Sequence, residues 1–376
     1  MPEVRPNTPS SDVVFFFGAG ASAPFGIPTM KQFVVDFEEY LNENATRNEQ
    51  NVYADIKETL EKRLKRQADL EAVFTVINGI IDYNPERHDL LSLYAVSEFK
   101  KPFPTKQDIP TCKLLREKFQ TFVKEKCVIP DESFDKIRNV YQDFFNRFAL
   151  ELPPRNLGSN DDYAYDHDWA IFTTNYDMCL EHYWRHVVGI GIDTGFVSDD
   201  ARAIRVLRSE RFLVFGDHRL RLVKLHGSVS WKIGKGTGEI TEEDIPMGRS
   251  ITGRRFAGDM MLYPIAEKEL YFDPYISMLL RLNRELASKS VWVVIGYSFN
   301  DPVVREIFLR KSNLRKHLIL VNPKANEVCE NRLHEMKGKL ILMEKKFGME
   351  DFRQVNHQII HKFREPKFGV SETPIP

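Results

Sequence analysis

The sequence predicts an α/β fold built on a doubly wound parallel sheet, with helices on both faces and a helical insertion after the first strand–helix unit. Three observations predict it. Short apolar runs, typical of strands that are buried on both faces, recur along the chain. Amphipathic helical stretches separate them, an alternation that favours a parallel sheet. A long region of helical periodicity interrupts the alternation after the first strand and helix.

The predicted strands are short, apolar and rich in β-branched or aromatic residues. They occupy residues 12–17, 169–173, 220–225, 290–295 and 318–321, and residues 340–342 are a possible sixth strand. A helix is predicted over residues 29–40, with Met30, Phe33, Val34 and Phe37 on one side.

Residues 44–160 form the predicted helical insertion. Apolar side chains recur there at spacings of three and four, with charged residues between them, as in an amphipathic helix. Two such series are Tyr53, Ile56, Leu60, Leu64 and Phe134, Ile137, Tyr141, Phe144, Phe148. The rest of the chain divides into a sheet domain, residues 12–43 and 161–345, and two terminal segments, residues 1–11 and 346–376.

The composition predicts a globular protein of the cytoplasm. The chain has 376 residues, of which 42% are hydrophobic and 28% charged, and a formal net charge of -1. This balance lacks the basic excess of proteins that bind duplex DNA or anionic membranes, so we expect neither partner. The four cysteines are scattered, which predicts neither a disulfide framework nor a metal site. No apolar run approaches the roughly 18 residues that a membrane helix needs.

Residues 15–28 read FFFGAGASAPFGIP, so three aromatic side chains are followed at once by small residues. We interpret the aromatic residues as sheet core and the small ones as a turn at the carboxyl end of the first strand. Ligands bind at that end of an open parallel sheet, and a turn of small residues lets backbone N–H groups approach a phosphate. No Lys-Ser/Thr pair follows the second glycine, so this is not a Walker A loop. A purely structural role for the glycines stays open.

The other predicted strands also end in polar residues. These are Thr174, Asn175 and Asp177 after the second strand, His226 after the third, Gly296, Ser298 and Asn300-Asp301-Pro302 after the fourth, and Asn322 after the fifth. Each has a structural interpretation, as an N-cap or Asx turn, a structural histidine or a helix start. Because the carboxyl ends of parallel strands meet at one edge of the sheet, their coincidence favours a binding site opposite the glycine turn.

The motifs G-A-G-x-S…G-I-P, T-x-N-Y-D, L-H-G-S, G-Y-S and V-N follow one another between residues 12 and 323. In this order they resemble the sirtuin superfamily, and most closely the sirtuin-like NAD-consuming effectors of bacterial antiphage defence. The resemblance implies a Rossmann-like NAD-binding domain over residues 12–43 and 161–345. The insertion matches no part of the family pattern.

Two departures separate the chain from the protein-deacylating sirtuins. They continue after G-I-P with Asp-Phe-Arg, where this sequence has Thr29, Met30 and Lys31. They also carry a zinc ribbon with two Cys-x-x-Cys pairs shortly after the His-Gly pair, whereas no cysteine stands here between His226 and Cys329. The departures weaken a deacylase interpretation and leave NAD chemistry intact.

The resemblance implies a set of site residues. It places the pyrophosphate of NAD at Gly18, Ala19, Gly20 and Ser22, and the adenosine half at Ser298 and Asn322. Further contacts to NAD are expected from Pro28, Thr174, Asp177 and Gly296. Asn175 would orient the ribose, and His226 would act as general base and accept a proton from water or a ribose hydroxyl. No metal is expected.

The resulting prediction is an NAD glycohydrolase that releases nicotinamide and ADP-ribose as the effector of an antiphage system. Regulation is expected through homo-oligomerisation or a partner such as a HerA-type ATPase or a short Argonaute-type protein. The insertion is predicted to be either a surface for assembly or a lid over the NAD site. Two other functions stay open, namely an NAD or ADP-ribose sensor without turnover, and a protein deacylase or ADP-ribosyltransferase.

Overall fold

The structure is a computed structural model of the chain. It describes residues 13–65, 67–81, 108–147, 155–156, 163–164, 169–189, 192–202, 204–215, 220–234, 239–242 and 273–348. The predicted terminal segment 1–11, most of the predicted segment 346–376 and parts of the predicted insertion lie outside these residues.

The described strands fall into three sheets. In chain order they are β1 (Val13–Phe17), β2 (Arg155–Asn156), β3 (Tyr163–Ala164), β4 (Trp169–Thr173), β5 (Phe196–Asp199), β6 (Ile204–Leu207), β7 (Leu220–Lys224), β8 (Trp231–Ile233), β9 (Ile240–Glu242), β10 (Val291–Ile295), β11 (His317–Val321) and β12 (Leu340–Met343). Six of them form the central sheet, in the order β12-β11-β10-β1-β4-β7. All neighbours in this sheet are parallel, so the predicted fold class is confirmed.

The described helices cover much of the remaining chain. They are α1 (Ala19–Ser22), α2 (Met30–Asn44), α3 (Arg47–Leu64), α4 (Leu70–Ile81), α5 (Asp108–Lys126), α6 (Phe134–Arg147), α7 (Cys179–His182), α8 (Tyr275–Ser288), α9 (Pro302–Phe308) and α10 (Ala325–Arg332). Short 3-10 turns lie at Ala23–Phe25, Asp131–Ser133 and Ser209–Leu213, and a π-helical turn at Tyr183–Val188. Among the described helices, none is long and apolar enough to cross a lipid bilayer.

The strand order creates a switch point in the middle of the sheet. From β1 the chain proceeds outward through β4 to β7, and then returns to β10 on the other side of β1 before it continues to β11 and β12. Strands on either side of the β1–β10 boundary therefore send their connections in opposite directions. A crevice opens at such a boundary, outside the carboxyl ends of the strands.

The aromatic run of β1 fills the core on both faces of the sheet. Phe15 and Phe17 are buried on one face, with ring centroids 5.8 and 5.9 Å from that of Phe144 on α6. Phe16 is buried on the other face, 4.6 Å from the ring of Tyr297 and 5.5 Å from that of Phe308. The Phe15–Phe144, Phe17–Phe144 and Phe16–Phe308 pairs are edge-to-face, and such pairs contribute about 0.5–1.5 kcal/mol beyond the area that they bury.

The described helices of the insertion pack on the same face as Phe15 and Phe17. The ring centroid of Phe37 on α2 lies 5.6 Å from that of Phe74 on α4 and 5.2 Å from that of Phe119 on α5. The rings of Phe74 and Phe119 are stacked, with their centroids 3.6 Å apart. These rings belong to one continuous apolar core with the sheet. The helical periodicity predicted from Tyr53 to Leu64 and from Phe134 onward is realised in α3 and α6, whereas Phe148 lies outside the described residues.

A second sheet, which the sequence analysis did not predict, lies within residues 196–242. It is antiparallel, in the order β5-β6-β9-β8. The buried Glu242 carboxylate of β9 forms two ion pairs. One oxygen binds Arg205 of the neighbouring strand β6, and the other binds Arg185 of the π-helical turn at 2.8 Å. The strands of this sheet are too short for an alternating pattern to stand out.

The turn after β1 packs directly on the turn after β10, backbone against backbone. The Gly18 N–H donates to the Ile295 carbonyl at 2.8 Å, and the Gly20 N–H donates to the Gly296 carbonyl at 2.9 Å. A Cβ atom on Gly18 would lie 2.6 Å from Tyr297 Cα, and one on Gly20 would lie 2.8 Å from Gly296 Cα. The glycines are therefore needed for the approach of two turns, which is the structural role that the sequence analysis left open.

Gly296 is the tightest point of this contact, and we predict that Gly296→Ala destabilises the fold. Its φ is +65°, and a Cβ there would lie 2.3 Å from the Ala21 nitrogen. The left-handed backbone and the overlap together should lower the free energy of unfolding by about 3 kcal/mol. Urea denaturation measures the change.

Two matched variants separate the cost of the left-handed backbone from the cost of the steric overlap. Gly79→Ala adds a methyl group in α4 with nothing within 4 Å, and should stabilise slightly because alanine favours helix. Gly189 has a φ of +73°, and a Cβ atom there would have nothing within 4 Å. Gly189→Ala therefore isolates the cost of the left-handed backbone, about 1 kcal/mol. If Gly296→Ala is no less stable than Gly189→Ala, the two turns do not pack as described.

Candidate active site

A cavity of about 630 Å³ lies over the switch point, at the carboxyl ends of the central strands. Its wall includes Ala19 and Gly20 after β1, residues 174–177 after β4, His226 after β7, residues 296–298 after β10 and Asn322 after β11. The wall also includes Met30, Phe33 and Val34 of α2 and residues 67–69 before α4. A segment of the predicted insertion thus borders the cavity, as the lid interpretation requires, while the assembly interpretation stays a prediction.

The predicted site residues meet in one place. Ten of them line the cavity, namely Ala19, Gly20, Pro28, Thr174, Asn175, Asp177, His226, Gly296, Ser298 and Asn322. Gly18 and Ser22 are not part of its wall, and both accept hydrogen bonds from the Asn175 side chain.

Asn175 ties the turn after β4 to the glycine turn. Its Nδ2 donates to the Gly18 carbonyl at 3.0 Å and to Ser22 Oγ at 2.9 Å, and its backbone N–H donates to Thr173 Oγ1 at 3.0 Å. A carbonyl can only accept, so Gly18 fixes which end of the amide faces the turn. Both amide hydrogens are thereby used, and Oδ1 is the atom that can accept a hydrogen bond from a ligand hydroxyl or a water molecule.

A buried lysine holds the same turn from the other side. Lys224, the last residue of β7, donates from Nζ to the carbonyl oxygens of Tyr176 and Asp177 and to Glu181 Oε1 at 2.8 Å. The Lys224 and Glu181 side chains are both only 3% exposed. A buried pair of opposite charges is stable only where further hydrogen bonds satisfy it, and here the turn carbonyls do so. The Asp177 side chain accepts from the Cys179 N–H at 3.0 Å, at the start of α7.

His226 forms a buried pair with Asp301. Its Nε2 lies 2.8 Å from Asp301 Oδ2, and the two side chains are 8% and 10% exposed. Asp301 also caps α9, because Oδ1 accepts from the N–H groups of Val303 at 2.8 Å and Val304 at 3.1 Å. The predicted helix start at residues 300–302 is confirmed.

The environment keeps the Asp301 carboxyl ionised. Burial alone would raise its pKa, but the hydrogen bond and charge of His226 and the two backbone N–H groups of α9 outweigh burial and lower the pKa below the ordinary value of 3.8. A carboxylate thus stands against the imidazole at neutral pH.

Asn322 connects the turn after β11 to the turn after β10. Its Nδ2 donates to the Tyr297 carbonyl at 3.1 Å and its Oδ1 accepts from the Lys324 N–H at 2.9 Å. The side chain therefore braces Ser298 and its neighbours. Lys324, Lys345 and Lys346 border the same end of the cavity and give it positive charge.

The sequence analysis missed two residues of this site. Asp301 was predicted only as a helix start, and Lys224 only as part of a strand. Their contacts depend on which strands are neighbours, which no local pattern records. The one available signal was the presence of two ionisable side chains, Arg221 and Lys224, in a short strand whose other residues are apolar, since such side chains are buried only with a partner.

Comparisons with known proteins find a family match over part of the chain. Residues 170–341 match the family model of the SIR2-like domain. Among solved structures, a Sir2 homologue–NAD complex aligns with a TM-score of 0.42 at 14% identity, over 93% of this chain and 90% of that chain. A Sir2 homologue mutant in complex with ADP-ribose aligns with a TM-score of 0.40 at 14% identity, over 93% and 92% of the two chains. None of the curated proteins matches.

At this identity and TM-score the likeness to solved structures carries no argument about what the chain binds. The matched residues 170–341 contain Asn175, His226, Gly296 and Asn322.

Proposed function

We propose that this protein is an NAD glycohydrolase that cleaves the bond between nicotinamide and ribose with water. The observation that carries the proposal is that one cavity, at the switch point of the sheet, joins the glycine turn, Asn175 and His226. The SIR2-like match over residues 170–341 supports a nucleotide ligand, and so does the resemblance of the motif series to NAD-consuming sirtuin relatives.

The cavity suits a dinucleotide in size and charge. Pockets for small molecules measure about 300–1,000 Å³ and are largely apolar with a few polar groups, and a cavity of about 630 Å³ lies within that range. Lys31, Lys324, Lys345 and Lys346 border it and favour an anionic ligand such as a pyrophosphate. Ala19 and Gly20 offer a wall without bulky side chains at the carboxyl end of β1, where the pyrophosphate would lie.

The bond changes of the proposed reaction balance without a further reactant. The oxygen of water bonds to C1′ of the ribose, and the C1′–N bond breaks with its electron pair passing to the pyridinium nitrogen. Nicotinamide leaves as a neutral molecule, ADP-ribose is the other product, and the proton of water is released. The developing positive charge on the ribose resembles that of glycoside cleavage.

Asn175 and His226 have separate tasks in this reaction. Asn175 Oδ1, with its amide hydrogens held by Gly18 and Ser22, accepts a hydrogen bond from the attacking water or a ribose hydroxyl. His226 accepts the proton that the water releases. Because no buried carboxylate is needed as nucleophile, the site differs from that of a retaining glycosidase.

The resemblance extends the proposal to a biological role. We propose that the enzyme depletes NAD as the effector of an antiphage system, held inactive or activated by oligomerisation or by a partner such as a HerA-type ATPase or a short Argonaute-type protein. The segment 67–69 borders the cavity, so a partner bound to the insertion could act on the site through it.

We predict that purified protein, alone or with its partner, converts NAD to nicotinamide and ADP-ribose. Asn175→Ala and His226→Ala should each lower kcat by about 10²–10⁴-fold, because a positioned polar group or general base is lost. Liquid chromatography of the products measures the rate. His186→Ala and Asn326→Ala alter exposed residues outside the cavity wall and should keep the wild-type rate.

Full turnover by either site variant would overturn the assignment of these residues. Tight binding of NAD by the wild-type protein with no nicotinamide released, with or without the partner, would instead indicate a sensor. Radiolabel transferred from NAD to a polypeptide would indicate a transferase.

In cells, induced expression together with the partner should lower the NAD pool, and expression of His226→Ala with the partner should not. Total NAD in extracts, measured by an enzymatic cycling assay, gives the result. A pool that falls equally with both proteins would contradict the role of the site in NAD depletion.

A further inference from the structure

The pair of His226 and Asp301 joins two turns that are distant in the sequence. Their separation is 75 residues, and the Nε2–Oδ2 distance is 2.8 Å. Both side chains are buried at the cavity wall, so solvent screens the pair only weakly. The contact therefore has the geometry and the environment of a strong, charge-assisted hydrogen bond.

Asp301 is held rigidly in this contact. One carboxylate oxygen accepts both backbone N–H groups at the start of α9, which leaves the other oxygen directed at His226. Pro302 follows at the first helical position, where its fixed φ restricts the backbone. A carboxylate fixed by a helix end cannot rotate away from the imidazole without breaking the cap.

The loop before Asp301 carries backbone strain. Phe299 has a φ of +56°, which is a genuine outlier for a bulky residue. It is fully buried, with its ring 4.8 Å from that of Tyr297 and 5.0 Å from that of Phe308. Strain of this kind costs about 1–3 kcal/mol and persists where the surrounding packing enforces it, commonly at functional sites. Here it sets the direction in which the chain enters α9.

We propose that Asp301 is the positioning residue of the general base, accepting the Nε2–H of His226 and so directing the lone pair of Nδ1 to the reacting water. The inference rests on the proposed NAD hydrolysis. As the C1′–oxygen bond forms, the proton of water passes to Nδ1, and the resulting imidazolium is stabilised by the Asp301 carboxylate. The proton then leaves to solvent, and the pair returns to its starting state.

Other groups near His226 also influence the pKa of its imidazole, and the Asp301 substitutions described below leave all of them unchanged. The Tyr176 ring centroid lies 6.4 Å from that of His226. Asp177 lies on the turn after β4, Lys224 stands two residues before His226 on β7, and Arg305 lies on α9. The remaining ionisable groups of the cavity wall are Lys31, Asp69, Cys127, Tyr297, Lys324, Lys345 and Lys346.

The decisive variant is Asp301→Asn. An asparagine oxygen can still accept from Val303 and Val304, and asparagine is as good an N-cap as aspartate, so the unfolding free energy should change little. Its NH₂ group, however, donates toward Nε2 and favours the tautomer that carries the proton on Nδ1. Loss of the correct tautomer costs roughly 10⁴-fold in kcat in catalytic triads, and we expect a loss of about 10²–10⁴-fold here. KM should stay within about threefold.

Asp301→Ser is the matched control. Serine also caps helices but does not impose a tautomer on the imidazole, so the variant should be as stable as Asp301→Asn and more active. Asp301→Ala removes the cap and should be less stable than both by about 1 kcal/mol. A purely structural role predicts that activity follows stability, with Asp301→Ala the least active. The proposal predicts that Asp301→Asn is the least active.

The pH profile gives a second readout. Removing the carboxylate in Asp301→Ser takes away the anion that stabilises the imidazolium. The acidic limb of kcat/KM should therefore move to lower pH by about one pH unit or more. An unchanged acidic limb, or activities ranked by stability, would overturn the proposal.

One measurement separates failure of this inference from failure of the proposed function. Nitrogen-15 NMR of histidine-labelled protein reports the tautomer of His226 without any turnover. The wild type should show Nε2 protonated and Nδ1 unprotonated, and Asp301→Asn should show the reverse. If the protonated nitrogen differs between the two proteins in this way but the wild type releases no nicotinamide, the positioning role of Asp301 is supported and the hydrolase assignment fails. If the tautomer is the same in both proteins, the positioning role is wrong.

Discussion

The close contact of two backbone turns determines the architecture of this protein. Gly18 and Gly20 after β1 meet Gly296 after β10 with no side chain between them, at the one boundary of the sheet where the strand connections change direction. Because the turns are in contact, the residues that follow them lie around a single cavity. Bulky side chains at these positions would push the turns apart and separate Ser298 and Asp301 from the glycine turn.

Hydrogen bonds then fix each of the other turns relative to this contact. Asn175 binds Gly18 and Ser22, Asn322 binds the Tyr297 carbonyl, and His226 binds Asp301. Lys224 adds a buried charge that holds the carbonyls of the turn after β4. Such an arrangement is preorganised, since the polar groups that face a ligand are already held by others. In the proposed reaction the Asn175 side chain has a chemical task in addition to this structural one.

Much of the fold could be predicted from the sequence, and the reasons are local. A run such as that of Val13 to Phe17 is apolar on both faces because both faces are buried, and helical spacing marks α3 and α6 equally well. The positions of Asn175 and His226 at the cavity followed from their places after strands. The strand order could not be predicted in this way, nor the small sheet of β5, β6, β8 and β9, whose strands are too short. The pairing of His226 with Asp301 depends on that order, because β7 and β10 lie on opposite sides of β1.

The central claim is that the glycine turn, Asn175 and His226 bind one NAD molecule with the nicotinamide ribose at the two side chains. A crystal structure of the His226→Ala protein, which the proposal expects to be inactive, in complex with NAD tests it most directly. The account predicts the pyrophosphate against Ala19 and Gly20, and a ribose hydroxyl or a water beside C1′ within hydrogen-bonding distance of Asn175 Oδ1. A nucleotide bound elsewhere, or one whose nicotinamide ribose lies away from Asn175, would contradict it.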